Sequence, residues 1–205
     1  MMARTFVRIG LAAASAVAVL VAGQLPAEAK TTVGHGAVTY DDRQVVQLTQ
    51  AGAVQGKGGL ELHLTGKNRV VAGNLAVATT SCDGCHATAI SFQVVVADRA
   101  PSAVDAGNAA YADNSGCADC EADAFAYQFV LAFEGNARLT GAGRRQLDQI
   151  DAALSRLARS GGSAENTQAA VDGYAAQVVS VLSNELRVRP VVKKVATKRG
   201  HAPAA

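Results

Sequence analysis

The pattern of apolar and polar residues changes along the chain from a period of two to a helical period. Residues 60–65, Leu-Glu-Leu-His-Leu-Thr, alternate between two glycine-containing segments, which predicts a strand with one face in a core. Residues 44–48, 70–80 and 91–96 are further strand candidates, the last two rich in β-branched side chains. We therefore predict a β-rich domain over residues 30–140.

The segment 141–186 instead carries apolar residues three and four positions apart, in two stripes. The first stripe consists of Leu147, Ile150, Leu154 and Leu157, and the second of Val171, Tyr174, Val178, Leu182 and Leu186. Each stripe predicts an amphipathic helix that packs against a core. The short link over residues 160–163 contains two glycines and favours an antiparallel helical hairpin. The predicted fold class is α+β.

The most specific feature is an internal repeat over residues 74–97 and 108–132. From the first cysteine onward the two copies align without a gap at an offset of 35 residues, and one inserted residue upstream aligns Asn74 with Asn108. We interpret the copies as one supersecondary unit packed on its duplicate. A strand, a Cys-x-x-Cys turn and a returning strand is the favoured unit, because Asp83 and Gly84 suit a two-residue hairpin turn. The second copy has Asp119 in place of Gly84, and its alanine content leaves a helical unit open.

The first 29 residues have the pattern of an export signal. Arg4 and Arg8 precede fifteen uncharged residues, 9–23, and Ala27 and Ala29 supply small residues at a cleavage site before Lys30. Fifteen residues are fewer than the roughly 18 to 20 that span a bilayer. We expect cleavage, a secreted mature protein without a transmembrane anchor, and an oxidising environment for the cysteines.

The repeat contains all the cysteines of the chain, which are Cys82, Cys85, Cys117 and Cys120. Four cysteines allow three connectivities. A bridge from Cys85 to Cys117 would stabilise the fold by about 3.7 kcal/mol, against about 2 kcal/mol for a local pair, in the chain-entropy model. Local pairing is the simpler outcome if each repeat is a unit. We therefore favour disulfides between Cys82 and Cys85 and between Cys117 and Cys120.

Other uses of these cysteines stay open. The four sulfurs together are a candidate zinc site, which export disfavours. Cys82, Cys85 and His86 match the Cys-x-x-Cys-His pattern of covalent haem attachment, although Glu121 takes the place of His86 in the second copy. A Cys-x-x-Cys pair also suits thiol–disulfide redox chemistry. The favoured interpretation needs no cofactor.

Charge divides the chain after the leader into an acidic body and a basic end. Residues 30–186 carry a net charge of −5, whereas residues 187–205 contain six basic residues and no acidic one. The six are Arg187, Arg189, Lys193, Lys194, Lys198 and Arg199. We predict a flexible basic tail over 187–205 whose residues are candidates for binding an anionic surface polymer or lipid headgroup. The tail lacks interleaved aromatic residues, so no nucleic-acid partner is expected.

Composition and motifs narrow the chemistry further. Hydrophobic residues make up 49% of the chain but aromatic residues only 4%, so Ala, Val and Leu must fill most of the core. The motifs of zinc proteases, serine hydrolases, dinucleotide sites and phosphate loops are absent, and no catalytic residue is predicted. His35, His63 and His201 lie apart in sequence from any acidic pair. The acidic residues of 100–137 indicate a solvated face rather than a calcium site.

The two repeats resemble a repeat found in secreted proteins of high-GC Gram-positive bacteria. The resemblance rests on Ser81-Cys-Asp-Gly-Cys with Ala-Ile-Ser-Phe-Gln93-Val-Val-Val, and on Cys117-Ala-Asp-Cys with Ala-Tyr-Gln128-Phe-Val-Leu, and it extends over about residues 70–186. Some of those proteins carry a peptide zinc metalloprotease label, but this chain lacks such a zinc motif. The resemblance implies a secreted context and a cysteine-pair unit, and it implies no catalytic residue.

Together these features predict a secreted, non-enzymatic structural or binding module with two disulfides. Its expected partner is an anionic polymer of the cell envelope or an extracellular protein. The alternative is an extracytoplasmic redox, metal or haem protein that uses the cysteine pairs.

Overall fold

The computed structural model describes residues 36–98, 101–133, 135–187 and 190–202. The predicted signal peptide, residues 1–29, lies outside the described residues. The elements in chain order are β1 (Ala37–Leu48), β2 (Val54–Thr65), β3 (Arg69–Thr80), β4 (His86–Ala97), β5 (Ala103–Asn114), β6 (Glu121–Phe133), α1 (Gly141–Ala158), α2 (Ala164–Asn184) and β7 (Pro190–Ala202). A β-rich part followed by a helical hairpin confirms the predicted α+β class.

The strands form two sheets, and the chain passes from one sheet to the other at each turn. The outer sheet contains β1, β3 and β5, all parallel, and the central sheet contains β2, β4 and β6, also parallel, with β7 antiparallel to β6. Strand pairs β1–β2, β3–β4 and β5–β6 are therefore three successive coils stacked in register. This arrangement is a parallel β-solenoid in which each coil supplies one strand to each sheet.

The register agrees with the alignment of the sequence repeat. β3 and β5 pair Asn74 with Asn108, and β4 and β6 pair Gln93 with Gln128. The predicted unit of strand, turn and strand is confirmed, as is the packing of one copy on the other. The predicted hairpin pairing within a copy is wrong, because β3 and β4 belong to different sheets and each pairs with its equivalent strand in the next coil.

The central sheet separates two cores of different composition. Between the sheets the buried residues of the turn end are mostly alanines with the four cysteines, which lets the sheets approach closely. On its other face the central sheet packs aromatic residues against the two helices. These aromatic residues are Phe92, Phe125, Tyr127, Phe129 and Phe133. The low aromatic content of the chain is thus concentrated in one core.

Two sets of buried polar side chains link the sheets across the alanine-rich core. Gln128 Nε2 donates to Gln93 Oε1 over 2.7 Å and to the carbonyl oxygens of Ala72 and Gly107 over 3.0 Å each. Gln93 Nε2 donates to the carbonyl oxygen of Gly73 over 2.8 Å. Both glutamines lie on the central sheet and the three carbonyls on the outer sheet. The glutamine pair therefore ties together four strands.

A second polar set lies nearer the middle of the strands. Asn74 Nδ2 lies within 3.1 Å of the carbonyl oxygens of Ser91 and Tyr127 and within 2.8 Å of Asn108 Oδ1. Ser91 Oγ donates to Asn74 Oδ1 over 2.6 Å. Because each buried amide reaches the facing sheet, a shift of one sheet along the other would break several hydrogen bonds at once.

Helix α1 covers the free edge of the central sheet at β2. The N–H of Leu60 donates to Asp151 Oδ1 over 2.8 Å, and Ser155 Oγ donates to the carbonyl oxygen of Gly58. These side chains satisfy backbone groups that a neighbouring strand would otherwise bind. Thr140 and Ser163 cap α1 and α2, with each hydroxyl accepting from an N–H in the first turn. No helix among the described residues is long and apolar enough to cross a membrane.

The C-terminal segment differs from the flexible tail predicted over 187–205. Residues 190–202 form β7, which pairs with β6 along its length and ends the central sheet. A Cβ on Gly200 would lie 3.0 Å from the backbone nitrogen of Ala112, so β7 also approaches β5 of the outer sheet. The segment contains three valines together with lysines, and charged residues of this kind are common on edge strands. A run of basic residues at the end of the chain predicts a solvated tail, but here the segment pairs with β6.

Candidate functional site

The two Cys-x-x-Cys turns lie one above the other at the ends of β3 and β5. The local pairs Cys82–Cys85 and Cys117–Cys120 form disulfides, with Cα–Cα distances of 5.7 and 6.0 Å. The N–H of Gly84 donates to the carbonyl oxygen of Ala118 over 2.9 Å, and the N–H of Ala118 donates to Asp83 Oδ1 over 2.7 Å. Both local pairings agree with the favoured connectivity, and the turns reinforce the coil-to-coil register.

The second turn keeps the backbone of the first without its glycine. Gly84 has φ of +65°, and Asp119, its equivalent, has φ of 52°. This left-handed conformation is unfavourable for most residues, but aspartate tolerates it better than β-branched residues do. A Cys-x-x-Cys turn therefore forms in both copies although only one contains glycine.

The disulfides are buried in the alanine-rich core. Cys85 is 1% exposed and Cys120 is fully buried, and both belong to the same core cluster. Disulfide-bonded sulfurs are not available as thiolate ligands for zinc or as partners for thioether bonds to haem. A redox-active pair needs an accessible thiolate, which this burial disfavours. The geometry therefore favours a structural role for both pairs.

The residues that follow the two disulfide turns form a separate polar cluster. His86 begins β4 and Glu121 begins β6, and the register places them side by side. His86 Nδ1 lies 3.6 Å from Glu121 Oε2, and His86 Nε2 lies 3.4 Å from Asp123 Oδ2. The side chain of Asp123 is fully buried, and that of His86 is 15% exposed. One imidazole and two carboxylates therefore meet on the helix-facing side of the central sheet.

This cluster was not predicted, although the repeat contained the signal for it. From the sequence, His86 is a solvated side chain beside a turn or a haem ligand, and Glu121 and Asp123 belong to the predicted solvated acidic face. In a parallel solenoid, equivalent positions of successive coils are neighbours in space. Aligned repeats place Glu121 at the position of His86 and Asp123 two residues further on. The prediction that Asp123 lies on a solvated acidic face is wrong, because its side chain is fully buried.

The cluster borders a cleft between the central sheet and the start of α2. The cleft has a volume of about 470 Å³, and Asp123 forms part of its wall together with Glu165, Gln168 and Asp172 of α2. Gly200 of β7 closes another side. Three of the residues that line the cleft, Asp123, Glu165 and Asp172, carry carboxylates.

The carboxylates around His86 change its proton affinity. The contact with Asp123 and the charges of Glu121 and Asp123 raise the pKa of His86 above its ordinary value of 6.5, against burial, which lowers it. A raised pKa in the folded state stabilises the fold at pH values below 6.5, and this contribution is lost as the pH rises through the folded-state pKa. His86 is thus a pH-dependent contributor to stability.

We expect the His86→Gln variant to lose part of this pH dependence. In buffer with a chelator, the free energy of unfolding of the native chain should fall more between pH 5.5 and pH 8.5 than that of the variant. Urea denaturation at both pH values measures the difference. His201 lies opposite Asp123 in the β6–β7 register, so the comparison with the variant is needed to isolate the effect of His86. Equal pH dependence of both proteins would refute the assignment.

His63 also contacts a carboxylate, which the separation in sequence did not predict. His63 Nε2 lies 3.0 and 2.8 Å from the two carboxylate oxygens of Asp42, and its ring stacks on Tyr40 with centroids 4.1 Å apart. β1 and β2 form the first coil, so this pair joins the two sheets at the first coil of the solenoid. The contact with Asp42 therefore satisfies the hydrogen-bonding capacity of His63 Nε2.

Most of the basic residues that were predicted to bind an anionic surface belong to one strand. Lys193, Lys194, Lys198 and Arg199 belong to β7. Lys198 is exposed, and so is Arg187, which precedes the strand. Arg189 lies outside the described residues. The structure therefore concentrates four of the six predicted residues at the edge of the central sheet.

Comparison with known proteins gives no relative from which a function could be transferred. No protein-family model matches the chain. No curated protein matches it. No solved structure matches it either.

Proposed function

We propose that the protein acts outside the cytoplasm as a non-enzymatic binding module of the cell envelope. The observation that carries this proposal is the burial of two local disulfides, stacked in register in the core of a parallel solenoid. Buried disulfides stabilise a scaffold, whereas catalytic pairs expose a reactive sulfur. The scaffold then presents surfaces to a partner.

Two features support a location outside the cytoplasm. The disulfides fit an oxidising compartment, because cytosolic thiols are kept reduced. The leader sequence has the pattern of a cleaved export signal, and the resemblance of the repeats to secreted bacterial proteins favours the same location. We therefore propose secretion after cleavage before Lys30.

The basic edge strand β7 is the proposed binding surface. The chain from residue 30 to 186 carries a net charge of −5, whereas β7 contains four basic residues and no acidic one. Clustered lysines attract anionic polymers at long range and hold them by charge. Lysines on an edge strand also discourage pairing with other sheets, which is compatible with binding.

Neutralising β7 should abolish salt-sensitive binding to isolated cell-envelope material. The test variant changes Lys193, Lys194, Lys198 and Arg199 to Gln. Substitution is preferable to deleting residues 187–205, because deletion would also remove the strand that pairs with β6. Sedimentation with envelope material at about 20, 150 and 500 mM salt measures binding, since surface charge interactions are screened over that range.

The matched control removes four charges from elsewhere on the chain. Arg144, Arg145, Arg156 and Arg159 are exposed on α1 or at its C-terminal end, and all four are changed to Gln. The control should bind as the native chain does, and the β7 variant should remain in the supernatant at about 150 mM salt. Equal binding by both variants would contradict the proposal. Circular dichroism verifies that the β7 variant is folded.

A further inference from the structure

Three potential metal ligands converge where β4 and β6 begin. The nearest oxygen of Asp123 lies 3.4 Å from His86 Nε2, and that of Glu121 lies 3.6 Å from His86 Nδ1. One ligand atom from each of the three residues can be chosen so that all lie within 4.8 Å of one another. Two ligands bound to one tetrahedral Zn²⁺ at about 2.1 Å lie roughly 3.4 Å apart. A single ion takes only one imidazole nitrogen, so the three ligand atoms, which lie within 4.8 Å of one another, would move slightly closer together on binding.

The contrast with His63 separates this cluster from an ordinary histidine–carboxylate pair. His63 Nε2 lies at hydrogen-bond distance from both oxygens of Asp42, at 3.0 and 2.8 Å. His86 Nε2 is buried, and its contact with Asp123 Oδ2, at 3.4 Å, does not have the geometry of a hydrogen bond, nor does the nitrogen make another one within the described part of the chain. A buried ring nitrogen without a hydrogen bond costs free energy, and coordination to a metal ion would remove that cost.

The backbone holds the ligands in place before any ion binds. His86 and Glu121 directly follow Cys85 and Cys120, the second cysteines of the two disulfides. The N–H of Glu121 donates to the carbonyl oxygen of Cys85 over 2.8 Å. Ligands on paired strands beside closed turns lose little conformational freedom on binding, which favours affinity.

The ligand chemistry selects the class of ion. Imidazole nitrogen suits first-row transition metals, whereas Ca²⁺ and Mg²⁺ are bound mainly by oxygen. One nitrogen and two carboxylates form a three-residue ligand set, which leaves coordination positions for water or a ligand. Asp123 also forms part of the wall of the cleft of about 470 Å³, which offers a path for the ion.

We propose that His86, Glu121 and Asp123 form a binding site for a divalent transition-metal ion, with Zn²⁺ as the best fit. This site is distinct from the four-cysteine zinc site considered from the sequence, whose sulfurs are bonded in pairs. It is also independent of the proposed envelope binding by β7. A failure of either proposal leaves the other standing.

Equilibrium dialysis of the secreted full-length product, without an affinity tag, tests the site. The protein is stripped with EDTA, dialysed separately against Zn²⁺, Mn²⁺ and Ca²⁺, and analysed for bound metal. We expect one Zn²⁺ per chain, a rise in Tm on Zn²⁺ addition, and Ca²⁺ binding too weak to saturate under the same conditions. Absence of stoichiometric Zn²⁺ would overturn the proposal.

The variants assign the ion to these residues. His86→Gln and Glu121→Gln should each weaken Zn²⁺ binding at least about tenfold and remove the rise in Tm. Glu121 is 30% exposed, so its substitution is the less disruptive to folding. His63→Gln is the matched control and should bind Zn²⁺ as the native chain does. Native affinity in both cluster variants, or an equal loss in His63→Gln, would contradict the assignment.

Discussion

Replacing Gly56 with alanine should destabilise the protein by about 3 kcal/mol, the scale of severe overpacking. Gly56 lies on β2 where α1 packs against it, and an added Cβ would lie 1.8 Å from the carbonyl oxygen of Ala158. The obstacle is helix backbone, so no side-chain rotation can relieve the clash. Helix α1 must move away from β2, which would also weaken the contacts of Asp151 and Ser155 with the strand edge.

The matched control for this substitution is Gly107→Ala on β5. An added Cβ at Gly107 meets no atom within 4 Å. Urea denaturation of the two variants should therefore give a large loss for Gly56→Ala and a change within about 0.5 kcal/mol for Gly107→Ala. Similar values for the two variants would mean that α1 does not pack on β2 as described.

Gln128→Leu should also cost about 3 kcal/mol. The substitution removes the amide that donates to Gln93 and to two carbonyl oxygens of the outer sheet, and it leaves those buried acceptors without this donor. Each buried polar group deprived of its partner costs about 1 to 3 kcal/mol. The gain in apolar volume from leucine offsets only part of that cost.

Gln149→Leu, on the exposed face of α1, is the control for the same chemical change. It should alter the free energy of unfolding by less than about 0.5 kcal/mol. The double variant Gln93→Leu with Gln128→Leu should cost less than the sum of the single variants, because the two side chains lose a shared hydrogen bond. Additive losses would show that the glutamines act independently, contrary to the geometry.

Repeat alignment and helical periodicity predicted the parts of the fold that depend on local signals. The stripe through Leu147, Ile150 and Leu154 is buried in α1, as expected from its spacing. The matched pairs Asn74 with Asn108 and Gln93 with Gln128 are neighbours across parallel strands. The alignment of the two repeats therefore predicted which residues of distant strands are neighbours in space.

The first coil was not recognised as a third copy, because it lacks the cysteines that marked the other two. In the register, Asp42 pairs with Asn74 and Glu61 pairs with Gln93, so the polar positions recur with altered residues. The hairpin interpretation failed for a related reason. A turn residue such as Gly84 specifies how the chain reverses, but it does not specify whether the flanking strands pair or enter different sheets.

The candidate metal cluster could not be predicted either, because its residues become neighbours only when the pairing of β4 with β6 is known. His86, Glu121 and Asp123 are far apart in sequence or alternate with alanine, and no known ligand spacing connects them. Only the stacking of coils brings Glu121 beside His86. Chemistry that arises from stacking in a solenoid becomes visible once the partner strand is known.

The most direct test of the central claim, a solenoid locked by two local disulfides, is a mass measurement on the secreted protein. Tryptic cleavage without reduction should release peptides 70–99 and 100–138 as separate species, each two hydrogens lighter than its reduced form, and unreactive toward a thiol reagent. Each peptide contains one Cys-x-x-Cys pair and no internal lysine or arginine. The intact mass should correspond to a chain that begins at Lys30. A single species in which the two peptides are joined, or thiols that react before reduction, would contradict the account.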